Sequence, residues 1–158
     1  MDELISIAVR KAIHEVAIAF LDIEIENGPF KVNTIDDSYT PPQSEATAHI
    51  GLSGGINGGV FLSAPEHVAV YISGALLGEE PDDFNDEARD GFGELANMVA
   101  GGIQTHLSEE RGEINLTPPI IITHDETDST YKGYVFSVRQ YFKTAHGPFF
   151  VEIFYSLS

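Results

Sequence analysis

The composition of this 158-residue chain already excludes several classes of protein. It has 25 Asp and Glu against 8 Lys and Arg, and the net charge of −17 opposes binding to nucleic acid or to an anionic membrane surface. Cysteine is absent, which excludes disulfides, thiolate nucleophiles and cysteine-based zinc sites. The length and the hydrophobic fraction of 42% predict one domain over residues 1–158. No apolar run is long enough for a transmembrane helix and no signal peptide is expected, so the protein is expected to be cytoplasmic.

The chain is expected to begin with a helix and a short β segment. Residues 2–21 carry apolar side chains at helical spacing, Phe20 among them, and predict an amphipathic helix that buries this stripe. Apolar and polar residues then alternate over 23–32 around Asn27-Gly28-Pro29, which predicts a strand, a turn and a strand. Residues 36–44 predict a polar loop.

A hairpin and a second helix are expected next. Two β-type runs at 46–52 and 59–62 are joined by a glycine-rich stretch, which is typical of a hairpin. Ser63 is expected to cap the helix, with Glu66 completing a capping box, and Gly78 to end it.

The rest of the chain predicts a long third helix and four strands. The helix is expected to be capped by Asp83 or Asn85 and to run from about residue 86 to 107 or 108. The strands are expected at 114–117, 120–122, 134–142 and 149–157, the last two rich in aromatic residues that are mostly core, or in part a partner surface or dimer seam. Three helices and about six strands predict an α+β fold, with long helices packed on a largely antiparallel sheet.

The third helix separates its residues sharply into two faces. At 100° per residue, one arc is apolar and must face the core: Phe92, Leu95, Ala96, Val99, Ala100, Ile103 and Leu107. The opposite arc holds Asp90, Glu94, Asn97, Gly101, Gln104 and Thr105. Because Glu94 and Asn97 are three residues apart, their Cβ atoms are expected to lie about 5–6 Å apart on the exposed face.

Four glycines, at positions 91, 93, 101 and 102, lie in or near this helix. Each lowers the stability of a helix interior by up to about 1 kcal/mol relative to alanine, so the presence of four glycines needs an explanation. Close packing against a neighbouring element is one explanation and suits Gly102. Clearance for a second protein approaching Glu94 and Asn97 is the other, and it suits Gly101.

Several motifs together resemble the CheX-type chemotaxis phosphatases, relatives of CheC and of the flagellar-switch phosphatase domain. The helix segment Gly93-Glu94-Leu95-Ala96-Asn97-Met98-Val99-Ala100-Gly101-Gly102 is similar to their signature helix with its Glu-x-x-Asn motif. Further segments occur in the family's order and spacing: Ile50-Gly51-Leu52-Ser53-Gly54, Gly58-Gly59-Val60-Phe61-Leu62-Ser63, Ala75-Leu76-Leu77-Gly78-Glu79-Glu80 and Leu116-Thr117-Pro118-Pro119-Ile120. CheC-type members carry a second Glu-x-x-Asn in the first helix. Here the residue three positions after Glu15 is Ile18 and not asparagine, so one site per chain is expected.

The resemblance implies hydrolysis of the aspartyl phosphate on a CheY-like receiver domain. In that reaction Asn97 would orient the attacking water and Glu94 would pair with the receiver's lysine, while Asp90, Gly101 and Gln104 would contact the receiver. The chain would need no cofactor of its own, because the receiver carries the Mg²⁺. The resemblance also implies a homodimer.

Two alternatives to the phosphatase stay open from the sequence. A non-catalytic adaptor of the same fold would bind a receiver without hydrolysing its phosphate. An unrelated α+β domain would use the third helix only as a solvated surface. A metal site is not expected, since the six histidines lack metal-ligand spacing and the acidic stretch His124-Asp125-Glu126-Thr127-Asp128 is more typical of a solvated turn.

Overall fold

Three α-helices cover one face of a seven-stranded sheet in the computed structural model, which describes residues 1–36, 38–40, 42–123, 126–127 and 130–157. The helices are α1 (Asp2–Val16), α2 (Glu66–Leu77) and α3 (Asp86–Arg111). The strands are β1 (Glu26–Thr34), β2 (Ala46–Gly54), β3 (Asn57–Ala64), β4 (Ile114–Leu116), β5 (Ile120–Ile122), β6 (Phe136–Thr144) and β7 (Gly147–Ser156). The predicted α+β class with an antiparallel sheet is confirmed.

The strand order places the two ends of the sheet in different surroundings. The order is β1-β6-β7-β3-β2-β4, β5 also pairs with β2, and every pairing is antiparallel. Helix α3 packs on β2, β3 and the short strands β4 and β5, whereas β1 forms the opposite edge. The main core lies between the helices and the sheet.

The end of the first helix differs from the prediction. After Val16 the chain forms a π-turn over Ala17–Leu21, in which the N–H of Asp22 donates to the carbonyl of Ala17 at 2.8 Å. A π-turn holds more residues than an α-turn and rotates the residues within it off the buried stripe. Phe20 is therefore 56% exposed, and the prediction that it belongs to the core is wrong.

The predicted turn at Asn27-Gly28-Pro29 is also wrong, because these residues lie inside the single strand β1. The strand pairs with β6, and the register of this pairing shifts between Asn27 and Phe30. A Cβ at Gly28 would lie 3.1 Å from the Cβ of Tyr141, which is tighter than most side-chain contacts, so glycine suits this close approach of the two strands. Ile23 and Ile25 lie outside any strand and pack against the core.

The caps of the other two helices confirm some of the predictions and contradict one. Ser63 belongs to β3, where its hydroxyl lies 3.2 Å from that of Thr47, so the predicted capping box is wrong. The N–H of Glu66 donates instead to the Glu45 carboxylate at 3.1 Å. Gly78 ends α2 in the left-handed region, and Asn85 accepts from the N–H of Ala88 at 2.9 Å at the start of α3, both as predicted. Helix α3 continues past the predicted end to Arg111.

The aromatic residues of the last two strands are mostly core, as predicted. On the sheet face away from the helices, Phe61 and Phe154 are buried together with Tyr131, and Tyr39 packs against them from the segment after β1. The chain thus covers this aromatic face with its own residues.

Two of the predicted loops fall partly outside the described residues: Asp37 and Pro41 of the polar loop, and His124, Asp125 and Asp128 of the acidic turn. No helix in the described part is long and apolar enough to cross a membrane.

Candidate active site

Helix α3 is fixed on the sheet by its apolar arc. None of the seven residues predicted to face the core is more than 3% exposed: Phe92, Leu95, Ala96, Val99, Ala100, Ile103 and Leu107. Their burial sets the rotation of the helix about its axis, because a turn of one residue would bring polar side chains into the core. The opposite face is therefore held outward.

Glu94 and Asn97 lie on this outward face. The Glu94 side chain is exposed and Asn97 is half-buried, so neither is turned into the core. Within the described part of the chain, neither side chain makes a hydrogen bond or an ion pair. A carboxylate and an amide one helical turn apart are thus available to a visiting molecule.

The three predicted partner-binding residues have different surroundings. Asp90 is exposed one turn before Glu94, and a side chain at Gly101 would meet nothing within 4 Å. Gln104 is half-buried, and its amide donates to the carbonyl of Ile114 at 2.5 Å. Its NH₂ group therefore ties α3 to the start of β4, whereas Asp90 and Gly101 lie open beside the pair.

The four glycines of α3 differ in what surrounds them, so close packing and clearance for a partner apply to different positions. Gly91 lies against Leu77 of α2, Gly93 lies near Pro119, and a Cβ at Gly102 would lie 2.8 Å from the Cβ of Ala12 in α1. Close packing thus accounts for Gly91 and Gly102, whereas a Cβ at Gly93 would make only an ordinary contact with Pro119 at 3.9 Å, and open space surrounds Gly101. The sequence did not reveal that Pro119 would be the neighbour of Gly93.

The connection between β4 and β5 forms one side of the site. The N–H of Thr117 donates to the carbonyl of Gly51 at 3.0 Å, and the N–H of Gly51 donates back to the Thr117 hydroxyl at 2.7 Å. This reciprocal pair fixes the exposed Pro118 and the neighbouring Pro119 beside the helix. The sequence identified the Pro-Pro segment only as a family motif, and this contact was not foreseen.

Helix α1 carries no second pair of the same kind. The Glu15 carboxylate contacts the imidazole of His106 on α3, and the residue three positions later is Ile18. Glu15 therefore links the two helices. Among the described residues, no group of three His, Cys, Asp or Glu side chains is arranged to hold a metal ion.

Comparisons with known proteins agree with the fold. The family model described as "Chemotaxis phosphatase CheX" matches residues 46–143. The CheY-P phosphatase CheX of Thermotoga maritima is 30% identical over 125 residues, which cover 78% of this chain and 77% of that protein.

Two crystal structures match at lower identity. The chemotaxis protein CheX of Desulfovibrio desulfuricans has a TM-score of 0.79 at 22% identity, covering 96% of this chain and 99% of that one. The CheX of Borrelia burgdorferi, in a complex with CheY, BeF₃ and Mg²⁺, has a TM-score of 0.73 at 23% identity and covers 94% and 95%. These two likenesses concern the fold.

An antiparallel sheet with long helices packed on one face is the class of fold that this chain shares with CheC-like and CheX proteins of known structure. Within that class, the chain belongs to the CheX family.

Two neighbouring glycine substitutions test the packing of α3. Gly101→Ala and Gly102→Ala gain the same helix propensity, so the difference between them reports the surroundings of each Cβ. Because only position 102 meets Ala12, we expect Gly102→Ala to be less stable than Gly101→Ala by about 1–3 kcal/mol in urea denaturation. Equal unfolding free energies for the two variants would contradict this account of the helix contact.

Proposed function

We propose that this chain is a phosphatase that hydrolyses the aspartyl phosphate of a CheY-like receiver domain. The observation that carries the proposal is the pair of unpartnered side chains, Glu94 and Asn97, on the outward face of the fixed helix α3. Membership of the CheX family supports it, as does the name of the Thermotoga maritima relative, a CheY-P phosphatase. An open helix face suits a substrate that is itself a protein.

The hydrolysis requires few catalytic groups from the phosphatase. A water oxygen attacks phosphorus, the bond from phosphorus to the receiver's aspartate oxygen breaks, and the products are a carboxylate and inorganic phosphate. The leaving carboxylate is a weak base, so no general acid is needed to protonate it. What remains is to hold the water in line, since phosphoryl transfer is dominated by positioning and electrostatics.

Asn97 is the residue suited to position the water. Its amide carbonyl can accept a hydrogen bond from the attacking water, and its NH₂ group can donate to the phosphoryl oxygens. A carboxylate in this place would repel the negatively charged phosphoryl group, whereas the neutral amide does not.

Glu94 is suited to hold the receiver in place. Its carboxylate can make a charge-assisted hydrogen bond to the receiver's active-site lysine, one helical turn from Asn97. Asp90 adds a second negative charge on the same side, Gly101 leaves room for the approaching surface, and Gln104 lies at the margin. The receiver would bring the Mg²⁺, as the CheY complex from Borrelia burgdorferi suggests.

The same substrate indicates where the protein acts and how much of the chain takes part. A receiver substrate places the activity in the cytoplasm. The two crystal structures match 94% and 96% of this chain, which supports one CheX-like domain over residues 1–158.

Substitutions of the pair test the phosphatase. With a phosphorylated CheY-type receiver from the same genome, Asn97→Ala should reduce the acceleration of phosphate release by about 100-fold or more, because the water loses its orienting group. Glu94→Gln keeps the shape and removes the charge, so kcat/KM should fall roughly 10- to 100-fold. Glu109→Gln, which removes an exposed carboxylate near the other end of α3, is the matched control and should leave the rate unchanged.

The adaptor hypothesis predicts a different result. The wild-type chain would bind the receiver and leave its dephosphorylation rate at the unassisted value, and Asn97→Ala would behave the same way. That outcome would replace the phosphatase by a receiver-binding adaptor.

We propose further that the chain forms a homodimer through the free edge of β1. The strand pairs with β6 on one side, and its other edge is not covered by any strand in the described residues. Phe30 and Val32 on this strand are 41% and 47% exposed. An exposed edge strand with apolar side chains is a template for pairing with another chain.

A charge placed on that edge tests the dimer. Wild-type protein should sediment at twice the chain mass of 17.2 kDa, and Val32→Lys should sediment as a monomer because a lysine on an edge strand opposes pairing with another chain. Phosphatase activity per chain should persist, since α3 packs at the other end of the sheet. A monomeric wild-type protein would contradict the proposal.

A further inference from the structure

The connection between β4 and β5 contains one residue more than the strand beside it. Leu52 of β2 pairs with Leu116 in β4, and His49 of β2 pairs with Ile120 in β5. Two residues of β2 lie between these pairs, against three in the connection, residues 117–119. β4 and β5 are therefore one edge strand interrupted by a β-bulge, the proline bulge. Such bulges occur often at sheet edges and next to active sites.

Two contacts place this segment along one flank of α3. At one end, a Cβ at Gly93 would lie 3.9 Å from the ring of Pro119. At the other end, the amide of Gln104 donates to the carbonyl of Ile114 at 2.5 Å. The helix rises about 16 Å between its two contact residues, and the strand extends about 16 Å between its own. Helix and segment therefore run side by side from one contact to the other.

Asn97 lies between these two contacts on the same flank. At 100° per residue, Gly93, Asn97 and Gln104 fall within an arc of about 40°. Asn97 is about 6 Å along the helix from Gly93, a distance that about two strand residues span. The proline bulge therefore lies level with Asn97, whose side chain is half-buried, and Glu94 lies on the more exposed side of Asn97.

The proline bulge is exposed, yet its hydrogen-bond donors do not depend on water. The N–H of Thr117 donates to the carbonyl of Gly51, and the Thr117 hydroxyl donates to the carbonyl of Pro118 at 3.3 Å. Pro118 and Pro119 have no N–H. A β-bulge ordinarily leaves a backbone group unpaired, and such a group is costly when another surface covers it. This bulge can be covered without leaving a donor unpaired.

We propose that the proline bulge is a docking contact for the receiver, with Pro118 as the side chain that the receiver buries. The inference rests on the proposed phosphatase function. A specific interface covers about 800 Å² on each partner, equivalent to a disc of about 16 Å radius. A receiver whose acyl phosphate meets Asn97 must therefore cover the bulge beside it.

A proline ring suits this role in an acidic chain. The ring is held by the backbone and loses little conformational entropy when a partner buries it. With a net charge of −17, the chain attracts an acidic receiver poorly at long range. An apolar contact adds affinity that salt does not screen. Pro118 should therefore affect binding and leave the chemical step unchanged.

Substitutions at Pro118 test the contact by titration calorimetry with the beryllofluoride-activated, Mg²⁺-loaded receiver. Pro118→Ala removes most of the ring and should weaken binding about five- to tenfold. Pro118→Asp places a further negative charge beside Glu94 within the interface and should weaken binding more than Pro118→Ala. At saturating phosphorylated receiver, Pro118→Ala should keep the wild-type kcat, whereas Asn97→Ala lowers kcat.

Pro148 provides the matched control. It is an exposed proline at the start of β7, and the next residue, Phe149, packs in the core under the helices. Because side chains alternate along a strand, Pro148 lies on the sheet face away from α3. Pro148→Ala and Pro148→Asp should bind the receiver as the wild-type chain does.

The results separate this contact from other roles of the prolines. Wild-type affinity in both Pro118 variants would overturn the inference and leave the proposed function intact, and so would equal losses in the Pro148 variants. Proline on an edge strand also prevents pairing with other chains. Self-association of the Pro118 variants without a change in receiver binding would therefore overturn the inference in favour of edge protection. A wild-type chain that binds no receiver would contradict the proposed function and this inference with it.

The thermal midpoint shows whether a loss of binding reports the contact or the fold. Pro118 is exposed, so Pro118→Ala should unfold at the wild-type temperature. A loss of affinity that appears only together with a lowered midpoint would overturn the inference, because it would report a loosened bulge and not a lost contact.

Discussion

The packing of α3 against both the sheet and α1 is the constraint on which the site depends. The apolar arc of α3 fixes the rotation of the helix on the sheet, and the contact between Gly102 and Ala12 fixes how closely α1 approaches. Together they determine which residues of a 26-residue helix face outward and what lies beside them. Held in this way, helix α3 presents Glu94 and Asn97 at a fixed separation, and no loop is needed to position them. This suits a reaction in which the phosphatase contributes mainly position.

The two sides of the exposed pair are built differently. On one side, the hydrogen bonds between Gly51 and Thr117 hold the Pro118–Pro119 connection beside Gly93. On the other side, Ala12 of α1 packs closely against Gly102. Between them, the helix offers charge and hydrogen-bonding groups.

The sequence predicted what local patterns determine. Helical periodicity identified both faces of α3, and Asn85 and Gly78 identified helix ends, because each effect acts within a few residues. The candidate pair, Glu94 and Asn97, was found by its spacing and by a family motif. Its exposure follows from the same wheel.

The failures occurred where distant contacts decide the structure. The strand through Asn27-Gly28-Pro29 exists because β6, more than a hundred residues later, pairs with it, and no local signal reveals that partner. Ser63 has the chemistry of a helix cap, but pairing of β2 with β3 directs its hydroxyl to Thr47. Phe20 follows the helical pattern, yet the π-turn moves it to the surface. In the first two cases tertiary contacts override a sound local preference, and in the third the local change to π-helical geometry does.

The central claim is that a receiver's acyl phosphate meets Asn97 on the outward face of α3. The most direct measurement is a crystal structure of this chain in complex with a CheY-type receiver that carries Mg²⁺ and beryllofluoride in place of the phosphoryl group. The account predicts the Asn97 amide within hydrogen-bonding distance of a water in line with the bond from beryllium to the aspartate, and Glu94 paired with the receiver's lysine. A receiver seated on another face of the chain, with α3 left open to solvent, would contradict it.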